Sequence, residues 1–161
     1  MAVIEKIVSG GQTGVDRAAL DAAMQLGIPV GGWCPRGRRA EDGRIPDVYP
    51  LTETDASGYS DRTERNVRDS DGTLIVSGGP LTGGTALTRS VAMRLGKPVF
   101  VVDLRNEPAP DVSDSWLAEH NIRTLNVAGP RESQQPGIYN RVTKFLTHLL
   151  NRSKAWPNST S

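Results

Sequence analysis

The stretch Ile7-Val8-Ser9-Gly10-Gly11 (IVSGG) occurs again in this chain as Ile75-Val76-Ser77-Gly78-Gly79. Each copy runs an apolar segment into a glycine-rich loop that contains Thr-Gly: QTGVD follows the first copy and PLTGGT follows the second. Each loop then leads into a segment with helical periodicity. The sequence therefore repeats one unit, in which a buried strand is followed by a glycine loop and a helix.

The rest of the chain continues this alternation of strands and helices. The predicted strands are Val3–Val8, Ile28–Trp33, Thr73–Ser77, Pro98–Asp103 and Ile122–Val127, with Val48–Leu51 as an optional sixth. The predicted helices are Val15–Leu26, Tyr59–Ser70, Thr82–Leu95, Ser113–His120 and Ile138–Leu150. Such alternation with short connections is typical of right-handed crossovers in a parallel sheet. The pattern predicts a doubly wound, Rossmann-like α/β domain with about five to six parallel strands and helices on both faces.

Two strand orders are compatible with this pattern. If Val48–Leu51 is a strand, the expected order is 3-2-1-4-5, and otherwise it is 2-1-3-4-5. In both orders Val3–Val8 and Thr73–Ser77 are neighbours. Because ligands in such folds bind where the strand order reverses, the two IVSGG loops are predicted to lie side by side and to form one site.

Length and composition indicate one soluble domain. The chain has 161 residues, of which 37% are hydrophobic and 23% charged, and its formal net charge is +1. We expect a single domain over residues 1–150 and a frayed tail over 151–161. The near-neutral charge argues against nucleic-acid binding, and no apolar run is long enough to span a membrane. The single cysteine, Cys34, fits a cytoplasmic protein.

The glycine loops predict an anion site. Glycine lets backbone N–H groups approach a ligand, and the N-terminus of a helix attracts phosphate or carboxylate. The glycines concerned are Gly10, Gly11, Gly14, Gly78, Gly79, Gly83 and Gly84. Thr13 and Thr82 are predicted N-caps, Thr85 offers a hydroxyl group, and Arg131 closes the pocket from the last loop. Bulkier residues at Gly11 or Gly83 are expected to abolish ligand binding and leave the fold intact, because both turns are predicted to face solvent.

Two further features allow more than one interpretation. Arg36, Arg38, Arg39 and Arg44 lie in one loop and suit phosphate oxygens, but Glu41 and Asp42 among them equally indicate a solvated, self-neutralising loop. Cys34 is either a soft metal ligand or, as the pattern favours, a small buried hydrophobic residue. Since His120 and His148 lack ligand spacing, no metal site is predicted.

Five segments together resemble the molybdenum cofactor carrier protein family. They are SGGQTGVDRAALDAA (9–23), VGGWCPRGRRAEDG (30–43), NVRDSDGTLIVS (66–77), LTGGTALT (81–88) and LNVAGPRES…PGIY (125–139). The resemblance runs in order from about Ile7 to His148. The family belongs to a Rossmann-like nucleotide-binding superfamily that also contains the cytokinin-activating phosphoribohydrolases.

This resemblance implies a homo-oligomer, a dimer or a tetramer, that binds molybdenum cofactor (molybdopterin) or a nucleotide without turning it over. Carried over to this chain, the ligand would contact Gly10–Gly14, including Gln12, together with Asp16 and Arg17. On the other side it would contact Ser77–Thr85.

The phosphoribohydrolase relatives imply the alternative, a nucleotide-processing hydrolase or a nucleotide sensor. Their glycine loop ends in Thr-x-x-Glu, whereas this chain has Thr88 in place of the acid. Threonine cannot act as a general base near neutral pH, so the substitution favours binding over catalysis. The relatives' phosphate-binding arginine corresponds to Arg62. Asp16 or Glu132 would have to replace the missing acid in a hydrolase.

Overall fold

The structure is a computed structural model, and it describes residues 3–106 and 108–153. Within these residues, nine short strands form one five-stranded sheet and two two-stranded sheets. The strands are β1 (Lys6–Val8), β2 (Val30–Gly31), β3 (Trp33–Cys34), β4 (Arg39–Ala40), β5 (Gly43–Arg44), β6 (Thr52–Glu53), β7 (Gly72–Ser77), β8 (Val99–Asp103) and β9 (Thr124–Ala128). All pairings in the main sheet are parallel. β3 pairs in parallel with β6, and β4 pairs antiparallel with β5.

Helices cover both faces of the main sheet. They are α1 (Val15–Gln25), α2 (Tyr59–Arg68), α3 (Gly83–Arg94), α4 (Pro110–Glu119) and α5 (Ile138–Ser153), and a 3-10 turn spans Leu104–Asn106. On one face α5 packs against both α1 and α4, and on the other face α2 packs against α3. The predicted doubly wound α/β fold with a five-stranded parallel sheet is confirmed.

The position of the last strand differs from the prediction. The main sheet has the order β2-β1-β9-β7-β8. β9 pairs with β1 through Ile7 and Leu125, and with β7 through Leu74 and Val127. The prediction that the two IVSGG strands are neighbours is therefore wrong, because a strand from the far end of the chain lies between them.

The arrangement is nevertheless one of the two predicted orders with its connections permuted. When β9 is counted as the first strand and the others follow in chain order, the sheet reads 3-2-1-4-5. Local sequence patterns identify strands but do not specify where a distant strand inserts. The chain thus forms a predicted strand order with its C-terminal strand, β9, in the position of the first strand.

Two predicted strands differ from those in the structure. Gly32, with φ +132°, separates β2 from β3, and a Cβ atom added there would lie 2.3 Å from the Ser9 carbonyl oxygen. The chain leaves the main sheet at this point. Val48–Leu51 is not a strand, and the residues after it form β6, in which Thr52 pairs with Trp33.

One of the two predicted helix caps is wrong, and one helix begins earlier than predicted. α1 is capped by Gly14 and not by Thr13, and α4 begins at Pro110, before the predicted start at Ser113. Proline suits the first helical turn because its missing N–H would have no partner there. Thr82 does occupy the N-cap position of α3, although its side chain makes no capping hydrogen bond.

At the C-terminal end, α5 continues to Ser153, beyond the predicted domain end at residue 150. The remainder of the predicted tail, 154–161, lies outside the described residues. None of the helices in the described part of the chain is long and apolar enough to cross a membrane.

The two faces of the sheet differ in polarity. Leu74, Val76, Leu125 and Val127 face α1, α4 and α5 and belong to the largest apolar cluster. Because side chains alternate along a strand, Asn126 points to the opposite face, where its amide donates to Thr73 Oγ1 at 3.2 Å. The face beneath α2 and α3 therefore carries buried polar groups next to the carboxyl ends of the strands.

Gly129, directly after β9, has no room for a side chain. A Cβ atom there would lie 2.3 Å from the Val76 carbonyl oxygen and 2.6 Å from Val15 Cγ2. We expect Gly129→Ala to lower the free energy of unfolding by about 1–3 kcal/mol, the usual cost of overpacking a tight site. Urea unfolding measures this change. Gly58→Ala is the matched control, since nothing lies within 4 Å of the added methyl group, and equal stability of the two variants would contradict the packing of β9.

Candidate functional site

A cavity of about 230 Å³ lies at the carboxyl ends of β1 and β9, on the face covered by α2 and α3. It is lined by Gly10, Gln12 and Asp16 from the β1 loop and α1, by Tyr59, Arg62, Thr63 and Asn66 from α2, by Gly84, Thr85, Leu87 and Thr88 from α3, and by Asn126, Val127, Ala128, Gly129, Arg131 and Gln134 from β9 and its loop. Four parts of the chain that are separated in sequence thus converge on one polar cavity.

Three arginines lie close to the Tyr59 ring, Arg39 among them, and two of the three line this cavity. The guanidinium carbons of Arg62 and Arg131 lie 5.2 and 5.8 Å from the centre of the Tyr59 ring. Arg62 Nη1 also donates to the Gly10 carbonyl oxygen at 2.8 Å, which fixes α2 against the first glycine loop. Both cations line the cavity, where they attract an anionic group.

A buried carboxyl group lies beside Arg62. Asp16 is 6% exposed, and its Oδ2 is 3.8 Å from Arg62 Nη1. The same oxygen accepts the backbone N–H of Gln12 at 3.2 Å. Burial raises the pKa of the Asp16 carboxyl to about 6, and Arg62, the Gln12 amide and Arg17 only partly oppose this increase. Asp16 therefore titrates close to neutral pH, as functional carboxyl groups often do.

Three backbone amides of the first glycine loop are already bonded within the protein. Ser9 Oγ accepts the Gly11 N–H, Asp16 accepts the Gln12 N–H, and Gln12 Oε1 accepts the Thr13 N–H. These three amides of the predicted cradle are therefore not open to a ligand.

The second loop is closed in a similar way from the β9 side. Gln135 Oε1 accepts the Gly78 N–H at 2.7 Å, and Ser77 Oγ accepts the Gly79 N–H at 3.2 Å. Only the helical end of this segment, Gly84 and Thr85, reaches the cavity. An anion in this cavity would consequently meet arginine side chains and the first turn of α3 more than the amides of Gly78 and Gly79.

The structure divides the predicted site residues into two groups. Gly10, Gln12, Asp16, Arg62, Gly84, Thr85 and Arg131 line the cavity. Gly11, Thr13, Gly14, Arg17, Ser77, Gly78, Gly79, Thr82 and Gly83 are not among the residues that line it.

Several of the predicted site residues that do not line the cavity hold the loops together. Gly11, with φ +79°, is buried, and an added Cβ atom would lie 2.5 Å from Leu51 Cδ1, so the expectation of a solvent-facing turn is wrong there. Gly14 allows the Pro130 carbonyl oxygen to approach within 2.4 Å of an ideal Cβ position. Arg17 forms two hydrogen bonds with Asp42 at 2.8 and 3.0 Å.

The loop after β9 supplies residues that sequence reasoning underestimated. Asn126–Gly129 and Gln134 line the cavity, as do Tyr59, Thr63 and Asn66 from α2 and Leu87 and Thr88 from α3. Of these residues, Asn126 was recognisable from the sequence, because it is a polar residue between the apolar residues Leu125 and Val127. Glu132, considered as a replacement acid, instead caps α5 by accepting the N–H groups of Gly137 and Tyr139 at 2.6 and 3.0 Å.

Two arginines of the arginine loop, Arg38 and Arg44, make contacts within the protein, and Cys34 lies in an apolar cluster. Arg38 is 7% exposed and donates to the carbonyl oxygens of Ile45, Pro46, Tyr49 and Leu51. Arg44 pairs with Asp47, and Arg36 and Arg39 are exposed. Cys34 is fully buried among apolar residues, and burial raises its pKa, which agrees with the interpretation as a small hydrophobic residue. No group of three or more His, Cys, Asp or Glu residues gathers in the part of the chain that the structure describes.

Comparison with known proteins supports the resemblance. The model of the circularly permutated YpsA SLOG family matches residues 7–150. A crystal structure of a "putative molybdenum carrier protein" from Syntrophus aciditrophicus is 49% identical, with a TM-score of 0.86 over 92% of this chain and 96% of that one. A comparison with curated proteins gives no match. The permuted strand order agrees with the description of the family.

The raised pKa of Asp16 has a consequence for stability. Its value of about 6 in the folded protein exceeds the ordinary 3.8. Protonation of Asp16 therefore stabilises the folded state relative to the unfolded state, and this stabilisation is lost as pH rises through 6. We expect Asp16→Asn, which stays neutral, to be more stable than the parent protein at pH 8, by at most about 3 kcal/mol. The difference should shrink towards zero at pH 4.

Urea unfolding of both proteins at pH 4 and pH 8 checks this expectation. Asp61→Asn is the control, because Asp61 is partly exposed and pairs with Arg65 on α2 outside the cavity. A variant of Asp16 that is less stable than the parent at pH 8 would show that its ion pair with Arg62 outweighs its burial.

Proposed function

Because this chain belongs to the circularly permutated YpsA SLOG family, we propose that it is a non-catalytic carrier of a phosphorylated heterocyclic ligand. Molybdenum cofactor (molybdopterin) is the first candidate, since the 49% identical relative is described as a molybdenum carrier, and a nucleotide is the second. We further propose a cytoplasmic homo-oligomer, a dimer or a tetramer, that binds neither nucleic acid nor membranes.

One observation carries this proposal: Arg62 and Arg131 line the same cavity, and both guanidinium groups lie close to the Tyr59 ring. Guanidinium groups bind phosphate oxygens through paired hydrogen bonds. The first turn of α3 reaches the cavity through Gly84 and Thr85, and its positive dipole end adds to the attraction. A phosphate group would bind between these elements.

The cavity fits the phosphate-bearing part of such a ligand. Its volume of about 230 Å³ is below the ~300–1,000 Å³ of sites that enclose drug-sized molecules. A heterocycle would therefore extend towards the Tyr59 ring at the arginine pair. Cys34 is fully buried outside this lining, so its thiol would not contact a ligand bound in the cavity.

The position of Thr88 supports binding without turnover. Thr88 lines the cavity, and its hydroxyl group donates to the Gly84 carbonyl oxygen at 2.9 Å. This hydroxyl is used within α3, at the position where the resemblance places the acid of a phosphoribohydrolase. A carrier needs affinity and does not need an acid there.

Asp16 favours the second candidate function, a phosphoribohydrolase-like hydrolase. A buried carboxyl group with a pKa of about 6, beside an arginine in a cavity, has the properties of a general acid or base. Incubation with nucleoside monophosphates, followed by chromatography for free base, tests this function. Release of base that disappears in Asp16→Asn would establish the hydrolase and displace the carrier.

The carrier proposal is tested by native mass spectrometry of protein purified anaerobically from a host that makes the cofactor, with metal analysis of the same sample. We expect co-purified molybdopterin, with or without molybdenum, and the spectrum also gives the oligomeric state. A purine nucleotide in its place would support the second ligand. A protein that carries no ligand and binds none on addition would overturn the proposal.

Arg131 provides the cleaner test of the anion site, because the Arg62 side chain also supports the Gly10 loop. We expect Arg131→Ala to bind inorganic phosphate about 10- to 100-fold more weakly, the range for hydrogen bonds to charged groups. Chemical-shift titration of labelled protein measures this change. Arg36→Ala is the matched control, since Arg36 is exposed and outside the cavity. Equal binding by both variants would remove Arg131 from the site.

A further inference from the structure

The cavity contains polar atoms that the protein itself leaves without partners. Four of the residues that line it, Gln12, Asp16, Thr85 and Asn126, are between 3% and 6% exposed. In the described part of the chain, every side-chain nitrogen or oxygen atom that is sealed from solvent has a hydrogen-bond partner. A polar atom of these four residues that lacks a partner is therefore accessible to solvent, and all four residues line the cavity.

Two of these open atoms are hydrogen-bond acceptors. Asp16 Oδ2 accepts the Gln12 N–H, while nothing in the described residues bonds to Asp16 Oδ1. Asn126 uses its Nδ2 to donate to Thr73 Oγ1, and its Oδ1 has no partner among those residues. The side of the cavity formed by α1 and β9 thus offers oxygen atoms that accept hydrogen bonds.

One open atom is a donor whose identity is fixed by its neighbours. Gln12 Oε1 accepts the backbone N–H groups of Thr13 and Glu41 at 3.1 and 2.8 Å. The amide must therefore have its oxygen atom on that side and its Nε2 on the other. Nε2 and the Thr85 hydroxyl group complete a set of acceptors and donors around the cavity.

This set does not suit a bare anion. The Asp16 carboxylate lies 3.8 Å from the Arg62 cation that would hold a phosphate group. When it is ionised, it repels a small anion and competes for the same guanidinium group. A ligand that also brings hydrogen-bond donors would convert this repulsion into binding, because buried acceptors that remain unpaired are costly.

We propose that Asp16 and Asn126 determine specificity by accepting hydrogen bonds from at least two donor groups on the ligand, next to its phosphate. The inference rests on the anion site proposed above and defines the ligand class: a phosphate ester with neighbouring donors. Vicinal hydroxyl groups of a ribose have this chemistry, and so do the N–H and amino groups of a 2-amino-4-oxo ring edge, which guanine and pterin share.

Three nucleotides and one variant test the proposal. Guanosine 5′-monophosphate has both donor sets, its 2′-deoxy form lacks one ribose hydroxyl, and inosine 5′-monophosphate lacks the amino group. We expect the parent protein to bind guanosine monophosphate at least about tenfold more tightly than one of the other two, the effect of one hydrogen bond to a charged group. The weaker nucleotide identifies which donor set is used.

The same titrations with Asp16→Asn show whether Asp16 accepts hydrogen bonds from the donor groups of the ligand. We expect the preference to disappear in Asp16→Asn and to persist in Asp61→Asn, while thermal melting confirms that both variants are folded. Equal binding of the three nucleotides by the parent protein, or an unchanged preference in Asp16→Asn, would overturn the inference.

Inorganic phosphate separates this inference from the proposed function. Binding of phosphate with no gain for any nucleotide would keep the anion site and refute the role of Asp16 and Asn126. Absence of binding for phosphate and all nucleotides would refute both.

Discussion

The contact between the loop after β9 and the start of α1 sets the geometry of the candidate site. The Val15 N–H donates to the Pro130 carbonyl oxygen at 3.2 Å, and Gly14 and Gly129 leave no space for side chains between the two segments. This close approach brings α1 and α5 together on one side of the sheet. It also carries Arg131 to the cavity that Asp16 and Arg62 line. Without it, Arg131 would lie apart from the pair formed by Asp16 and Arg62.

The electrostatics of the cavity follow from burying a carboxyl group among partly buried cations. Desolvation raises the free energy of the ionised Asp16, and the attraction of Arg62 at 3.8 Å compensates only in part, so the pKa of Asp16 rises to about 6. Several backbone amides of the glycine loops do not contribute, because Ser9, Gln12, Asp16 and Gln135 already accept their hydrogen bonds. The glycines therefore shape the site, while side chains supply its chemistry.

Hydrophobic periodicity and glycine stops predicted the element types, because each is encoded within about ten neighbouring residues. The position of β9 is not encoded in this way, since Leu125 pairs with Ile7 across most of the chain. The same limit applies to the site. Asp16, Arg62 and Arg131 were foreseen by resemblance and residue type, whereas Tyr59, Thr63 and Asn126 reach the cavity only through the tertiary arrangement of α2 and β9. Gly11 was misjudged because nothing local reveals that Leu51 covers it.

The central location of β9 also constrains the order of folding. β1 pairs with β2 and β7 pairs with β8, but these two pairs are joined within the sheet only through β9. Lys6 contacts Thr124, a separation of 118 residues, and pairings of such long range form late. On the ribosome, the two strand pairs would remain separate until residues 124–128 emerge, with their inner edges exposed to other chains. A stalled or truncated polypeptide would therefore be prone to aggregate, and the candidate cavity is completed only by β9 and the loop that follows it.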